Sequence, residues 1–303
     1  MHPENKKRLE SLGDLSTAEI PFDESIMQLV HGSAYINHVK EYSQHGRSLD
    51  NDTVTSPKSY EAAVMAANAT LLAADKNDFA VVRPPGHHAY PHHSSGFCLF
   101  NNVSIAAQKY ANEGKRVLIF DFDGHLGDGT SDIFYHSDKV MYWSIHQYPA
   151  FPGHGYVDEI GKDEGKGFTI NVPLPPASGD DIFMDAFNTL LPIVEQFNPD
   201  IVALSAGFDA HQYDLLLDLR VTVDTYYTIG KVMTEKFPNN FATLEGGYNV
   251  EELPKCLYNF LDGVNFKEKR YSENHTDSDI KVWDEYEIRI NNLLTILKDY
   301  WKI

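Results

Sequence analysis

Short apolar runs alternate with longer segments of helical period through most of the chain. Phe79-Ala80-Val81-Val82, Arg116 to Phe122, Val140 to Ile145, Phe168 to Leu174, Ile201 to Leu204 and Phe241 to Leu244 read as strands. Such runs suit strands buried on both faces rather than strands with one wet side. Ser59 to Ala74, Asn102 to Glu113, Asp181 to Gln196, Thr222 to Phe237 and Val250 to Leu261 read as helices. Residues 264–280 are polar and predict a loop. From Lys281 to Trp301, Val282, Tyr286, Ile290, Leu293 and Leu297 recur at helical spacing and predict a terminal helix. The rhythm predicts an α/β fold, a mostly parallel central sheet with helices on both faces. One domain over 1–303 is expected, with its motifs inside 1–250; no repeat or low-complexity tract interrupts it.

Polar groups gather just past the predicted strand ends, at His87, Asp121 to Asp128, Asp209 and Tyr248. Open α/β sheets bind ligands in the crevice beyond those ends. Residues 121–130 read Asp-Phe-Asp-Gly-His-Leu-Gly-Asp-Gly-Thr, directly after an apolar run. Three acids and a histidine there are costly to desolvate unless something pairs with them. On extended backbone, Asp123 and His125 point the same way and can grip one metal ion, with Asp121 one pleat earlier. Asp209 follows another apolar strand, so its buried charge also demands a cation. Two carboxylates and one histidine with an open position suit catalytic zinc, and the oxygen-rich set also tolerates iron or manganese.

Arg83-Pro84-Pro85-Gly86 is a rigid turn that delivers two adjacent histidines, His87 and His88. Asp121 and Asp128 can each orient one imidazole, and the two need different partners to do different work. A competing role for Asp128 is to cap a helix beginning near Thr130. His92 and His93 lie among Pro and Ser and read as solvated or substrate-rim residues. Gly246-Gly247 lets the backbone turn sharply and aim Tyr248 into the crevice, where its hydroxyl could donate to an oxyanion. Metal, water, an imidazole base and a tyrosine donor together describe metal-assisted amide hydrolysis.

Composition narrows the partners. The formal charge is −19, from 44 acids against 25 bases. That field argues against nucleic acid; it can steer a cationic substrate, or serve solubility alone. Cys98 and Cys256 cannot build a disulfide framework, which points to a reducing cytoplasm. No run approaches the length of a membrane span, and the N-terminus lacks a signal-peptide core.

The chain resembles the zinc-dependent histone deacetylase family, which includes acetylpolyamine amidohydrolases and acetoin-utilisation proteins; its spacing suits the class II-like bacterial or archaeal branch. The runs that carry the resemblance are His2-Pro3-Glu4, Arg83 to Ala89, Gly96 to Asn102, Asp121 to Thr130, Phe151-Pro152-Gly153, Asn171 to Pro175, Ser205 to His211 and Glu245 to Tyr248. The resemblance implies an arginase–deacetylase fold and hydrolysis of an acylated amine such as acetyl-lysine. It implies zinc on Asp123, His125 and Asp209, and a structural K+ or Na+ near Asp121, Asp123 and Ser144. It implies His87–Asp121 as an electrostatic pair, His88–Asp128 as general base and then acid, and Tyr248 as oxyanion donor. Phe97 and Phe151 would wall the substrate tunnel, Gly96 would accept the substrate amide N–H, and Leu216 would sit at the rim.

The chain also departs from the family pattern. Gly124 stands where a bulky apolar residue is usual, Leu126 where a second histidine is usual, and Tyr213 to Leu217 replace Gly-Asp-Pro-Leu-Gly. No strand precedes His2, so the loop on one side of the tunnel is expected to differ. Polyamine-selective relatives can carry a glutamate where Leu216 stands, and a leucine there weakens a polyamine assignment. An arginase-like site would need further aspartates to bridge two metals, where Gly127 and His211 stand. A silent acyl-lysine-binding protein would have lost Tyr248 or a paired histidine, and this chain keeps them all. The oligomeric state is not legible in the sequence.

Overall fold

Six strands form one parallel sheet in the computed structural model, which describes residues 2–303. They are β1 (Phe79–Ala80), β2 (Val117–Asp121), β3 (Val140–Gln147), β4 (Thr169–Leu174), β5 (Ile201–Ala206) and β6 (Asn240–Leu244). Their order across the sheet is β1-β6-β5-β2-β3-β4. From β2 the chain runs outward through β3 to β4, then returns to the other side of β2 for β5. The order therefore reverses between β2 and β5, and ligands of parallel sheets settle beyond the strand ends at such a reversal.

Why the strands are continuously apolar is now plain. Leu118, Phe120, Met141, Trp143, Ile170, Val172, Val202 and Leu204 face one core, against helices Asp180–Phe197, Val223–Lys236, Leu253–Val264 and Ile280–Leu297. The alternate residues Val117, Ile119, Val140, Tyr142, Ile201 and Ala203 face the other, against helices Ser59–Lys76, Asn102–Asn112 and Asp128–Phe134. Strand residues on both parities are buried, so both are mostly apolar, with buried exceptions such as Ser144 and Asn171.

Several boundaries differ from the sequence reading for physical reasons. β1 stops at Ala80 rather than Val82, because it pairs only with β6 and the prolines that follow cannot donate to a ladder. The helix expected from Val250 starts at Leu253, with Pro254 in the first turn where its missing N–H is harmless. The terminal helix ends at Leu297; Trp301 lies beyond it and donates its indole N–H to the Gly167 carbonyl at 2.8 Å. Helix Ser33–Gln44 was not anticipated; it buries Tyr35, Ile36 and Val39 in a third core with Met27 and Phe100.

Candidate active site

All ten residues of 121–130 are buried. Strand β2 ends at Asp121, so Asp123 and His125 do not share an extended backbone as the two-residue spacing suggested. A tight turn groups them instead. Asp123 Oδ1 accepts the His125 N–H at 2.9 Å, and Asp123 Oδ2 accepts the Gly246 N–H at 2.7 Å. Asp209 Oδ1 accepts the Gly124 N–H at 2.7 Å. The carboxylates after β2 and β5 thus face each other at the point of strand reversal.

Asp123, His125 and Asp209 bring ligand atoms within 4.8 Å of one another. His125 Nδ1 lies 2.9 Å from Asp209 Oδ2 and 3.3 Å from Asp123 Oδ1. Burial opposes a charge on His125, but Asp209 and Asp123 outweigh it and push the imidazole up to about 10. Burial and the Asp123 charge push Asp209 up to about 7. Two buried carboxylates therefore call for positive charge between them, which in this geometry a protonated imidazole supplies. The donor set fits a divalent cation.

The histidine pair is tuned apart. His87 Nδ1 donates to Asp121 Oδ2 at 3.1 Å, and His88 Nδ1 to Asp128 Oδ1 at 2.6 Å. Burial disfavours charge on His87, but Asp123 and Asp121 outweigh it and hold it well above the ordinary value. His88 is pushed down to about 4 by burial and then by the charge on His87. The surroundings therefore favour charge on one imidazole and disfavour it on its neighbour. The helix begins at Asp128 itself, capped by no side chain, so that carboxylate serves His88 rather than the helix end.

The remaining sequence candidates surround this centre. Phe151 is exposed and its ring centroid lies 5.0 Å from that of His88. Phe97, with a left-handed φ of 69°, meets the Tyr248 ring edge-on at 5.7 Å. Gly96 presses on His88: a Cβ there would sit 2.3 Å from the imidazole Cδ2. Its carbonyl already accepts the Cys98 thiol at 3.4 Å, leaving one lone pair for a ligand. Tyr248 is buried, and its hydroxyl has no hydrogen-bond partner among the described residues. Leu216 is exposed on the segment after Asp209. Ser144 is buried in register with Asp121 and pairs through its hydroxyl with His146 Nδ1 at 2.9 Å. His92 and His93 are exposed, and His93 stacks on Tyr90 with centroids 4.2 Å apart. Leu126 is buried in the core that holds Ile119 and Tyr142.

Five positioning residues escaped the sequence reading. Arg8, fully buried, donates to the carbonyls of Gly247 and Glu245 and lies over the Tyr248 ring at 5.1 Å. Glu245 accepts from the N–H groups of Gly86 and His87 and from Ser205, which locks the Pro-Pro-Gly turn to β6. The hydroxyl of Tyr142 donates to Asp121 and that of Tyr90 to Asp128, each at 3.0 Å. Asp214 accepts the Tyr248 N–H at 2.7 Å. A lone arginine beside Lys6 and Lys7 carries no signal of its own. The tyrosines were hidden by being ordinary strand and loop residues.

A second cluster, His211, Glu252 and Glu273, also brings ligand atoms within 4.8 Å. Its members are already engaged: His211 with Glu273 at 3.0 Å, Glu252 with Lys255 at 2.8 Å.

Fold and function are of one class: a hydrolase of amide bonds on the arginase–deacetylase fold. The family follows from comparison with known proteins. A model described as the histone deacetylase domain matches residues 2–264, and the chain belongs to the histone deacetylase family. It is 36% identical over 277 residues to a probable deacetylase of Archaeoglobus fulgidus, covering 82% of this chain and 77% of that one. It is 35% identical to a histone deacetylase-like amidohydrolase of Pseudomonas aeruginosa, covering 84% and 73%. Among solved structures, the HDA15 HD domain superposes with a TM-score of 0.89 at 30% identity, over 99% of this chain and 89% of that one. An acetylpolyamine aminohydrolase from Burkholderia pseudomallei gives 0.79 at 28% identity, over 87% and 91%. Family members are metal-dependent and act on acetylated amines. Among the described residues, no helix is long and apolar enough to cross a membrane.

Proposed function

We propose that this protein is a zinc-dependent deacylase that removes an acetyl or similar acyl group from acyl-lysine or a related acylated amine. Asp123, His125 and Asp209 would hold the zinc. When bound, the metal supplies a polarised water and a Lewis acid for the acyl carbonyl. The protein's own groups do the rest. His88, neutral down to about pH 4, accepts the proton of the attacking water and returns it to the departing amine. His87, held cationic against Asp121, lends positive charge beside the reacting centre. The free hydroxyl of Tyr248 donates to the carbonyl oxygen as charge develops on it. Phe97 and Phe151 would grip the aliphatic linker, Leu216 would meet the body of the amine at the rim, and the Gly96 carbonyl would orient the amide N–H. A K+ or Na+ beside Asp121, Asp123 and Ser144 would brace the strand ends. Two buried free thiols suit the reducing cytoplasm.

What carries this reading is the opposite tuning of two adjacent imidazoles beside a buried two-carboxylate, one-histidine set. Turnover of a fluorogenic acetyl-lysine peptide by the zinc-loaded protein tests it. Activity should vanish on chelation and fall about 10²- to 10³-fold in Tyr248→Phe, as for loss of an oxyanion donor. No turnover by the fully loaded protein would leave a silent acyl-lysine binder. Acetylpolyamines are the second substrate class to assay, given the Burkholderia neighbour. An apolar Leu216 at the rim predicts a lower kcat/KM for them than for the peptide.

A further inference from the structure

Gly124 separates two of the proposed ligands, yet its backbone does not require glycine, because its φ lies outside the left-handed region. Volume requires it. A Cβ at Gly124 would lie 2.4 Å from Leu217 Cδ1, with Asp209 Oδ1 at 3.0 Å and Ala210 N at 3.1 Å. A leucine from another loop fills the space that a side chain at position 124 would take.

The segment carrying that leucine is pinned on both sides. The carboxylate of Asp214 accepts four backbone N–H groups: Leu215 at 2.7 Å, Leu216 at 3.4 Å, Tyr248 at 2.7 Å and Asn249 at 3.0 Å. Downstream, the Asp218 N–H donates to the Gln147 side chain at 2.8 Å. Gln147 in turn donates its own N–H to the Gly124 carbonyl at 2.9 Å. Leu217 is thus held at a fixed height over Gly124, whose N–H is bonded to Asp209.

We propose that Leu217 is a positioning residue, a wedge supplied by the rim segment that sets the spacing of Asp123 and His125 from Asp209. Gly124 and Leu217 form a matched pair: the packing volume above the ligand loop comes from the partner segment instead of from the loop. The wedge rests on the reading of these three residues as metal ligands.

The test is a mutant cycle of wild type, Gly124→Ala, Leu217→Ala and the double variant, each loaded with Co2+ and separately with Zn2+. The readouts are zinc affinity by chelator competition and the visible Co2+ spectrum, which reports ligand geometry where a general loss of stability does not. Gly124→Ala should weaken zinc binding by about tenfold or more, as changes just behind metal ligands do, and shift the spectrum. Leu217→Ala should shift it less. The double variant should recover most of the affinity and spectrum lost by Gly124→Ala, because the 2.4 Å clash is gone. Additive losses in the double variant would overturn the wedge. If Gly124→Ala does not fold, a wild-type spectrum and affinity in Leu217→Ala would overturn it as well. Failure of the wild type to bind either metal would instead sink the ligand assignment beneath it.

Discussion

His87 and His88 are neighbours in sequence with ring centroids 4.0 Å apart, and their charges differ because their surroundings do. His87 faces Asp121 and Asp123; His88 faces Asp128, whose other oxygen is shared with Tyr90. Replacing His88 with Ala should lower kcat by about 10²- to 10⁴-fold, the usual worth of a general base, with the smaller loss in His87→Ala. The His87 variant also carries a sign. Removing its cation makes protonation of His88 easier, so the acid limb of kcat/KM should move to higher pH. A limb that stays put would mean that His87 does not tune its neighbour. At this scale the gathering of Asp121, Asp123, His125 and Asp209 was legible, because acids and histidines just past apolar strands are too costly to bury without a partner or a metal. Arg8 and Glu245 were not, because they act through backbone groups that only the fold brings to them.

The elements were legible where burial leaves one solution. Strands β2, β3 and β5 are packed on both faces, so their residues are mostly apolar and their limits come close to those read from the sequence. Trp143 shows what the packing is worth: its ring stacks on Phe120 at 4.0 Å and on Phe187 at 5.5 Å, linking the sheet to helix Asp180–Phe197. Trp143→Ala should cost about 3–5 kcal/mol in chemical denaturation, with the metal-ligand spectrum altered only after unfolding. The turn after β2, at 121–125, was harder to read. Its grouping looked like strand alternation, yet it is made by side chains accepting N–H groups from elements distant in sequence, Asp123 from Gly246 and Asp209 from Gly124.

Across the whole molecule, buried titratable groups pull stability in opposite directions. Burial holds His31, His88 and His146 down to about 4, so the unfolded chain takes up protons that they refuse. Each contributes stability that is lost as pH falls from about 6.5 to about 4. Asp209 and Glu245, raised to about 7 chiefly by burial, act the other way over the acid range. His31 isolates one term, since it sits away from Asp123, His125 and Asp209, donating to the Tyr90 carbonyl and accepting the Asn101 N–H. His31→Gln should be less stable than wild type at neutral pH. The gap should narrow by about 1.4 kcal/mol per pH unit between about pH 6.5 and 4, measured by denaturant melts. A constant gap would show that His31 titrates alike in both states.

The sequence alone determined the class of sheet and the strand ends at which acids and histidines gather. It could do so because burial on both faces and the cost of desolvating charge leave a mark on every residue involved. Only the tertiary structure decided which imidazole favours a charge, what holds Tyr248, and what fills the space beside Gly124. Those answers depend on through-space neighbours: Asp123 beside His87, Arg8 and Asp214 around the tyrosine turn, Leu217 over the ligand loop. Local pattern records what a residue must avoid; long-range packing decides what it meets.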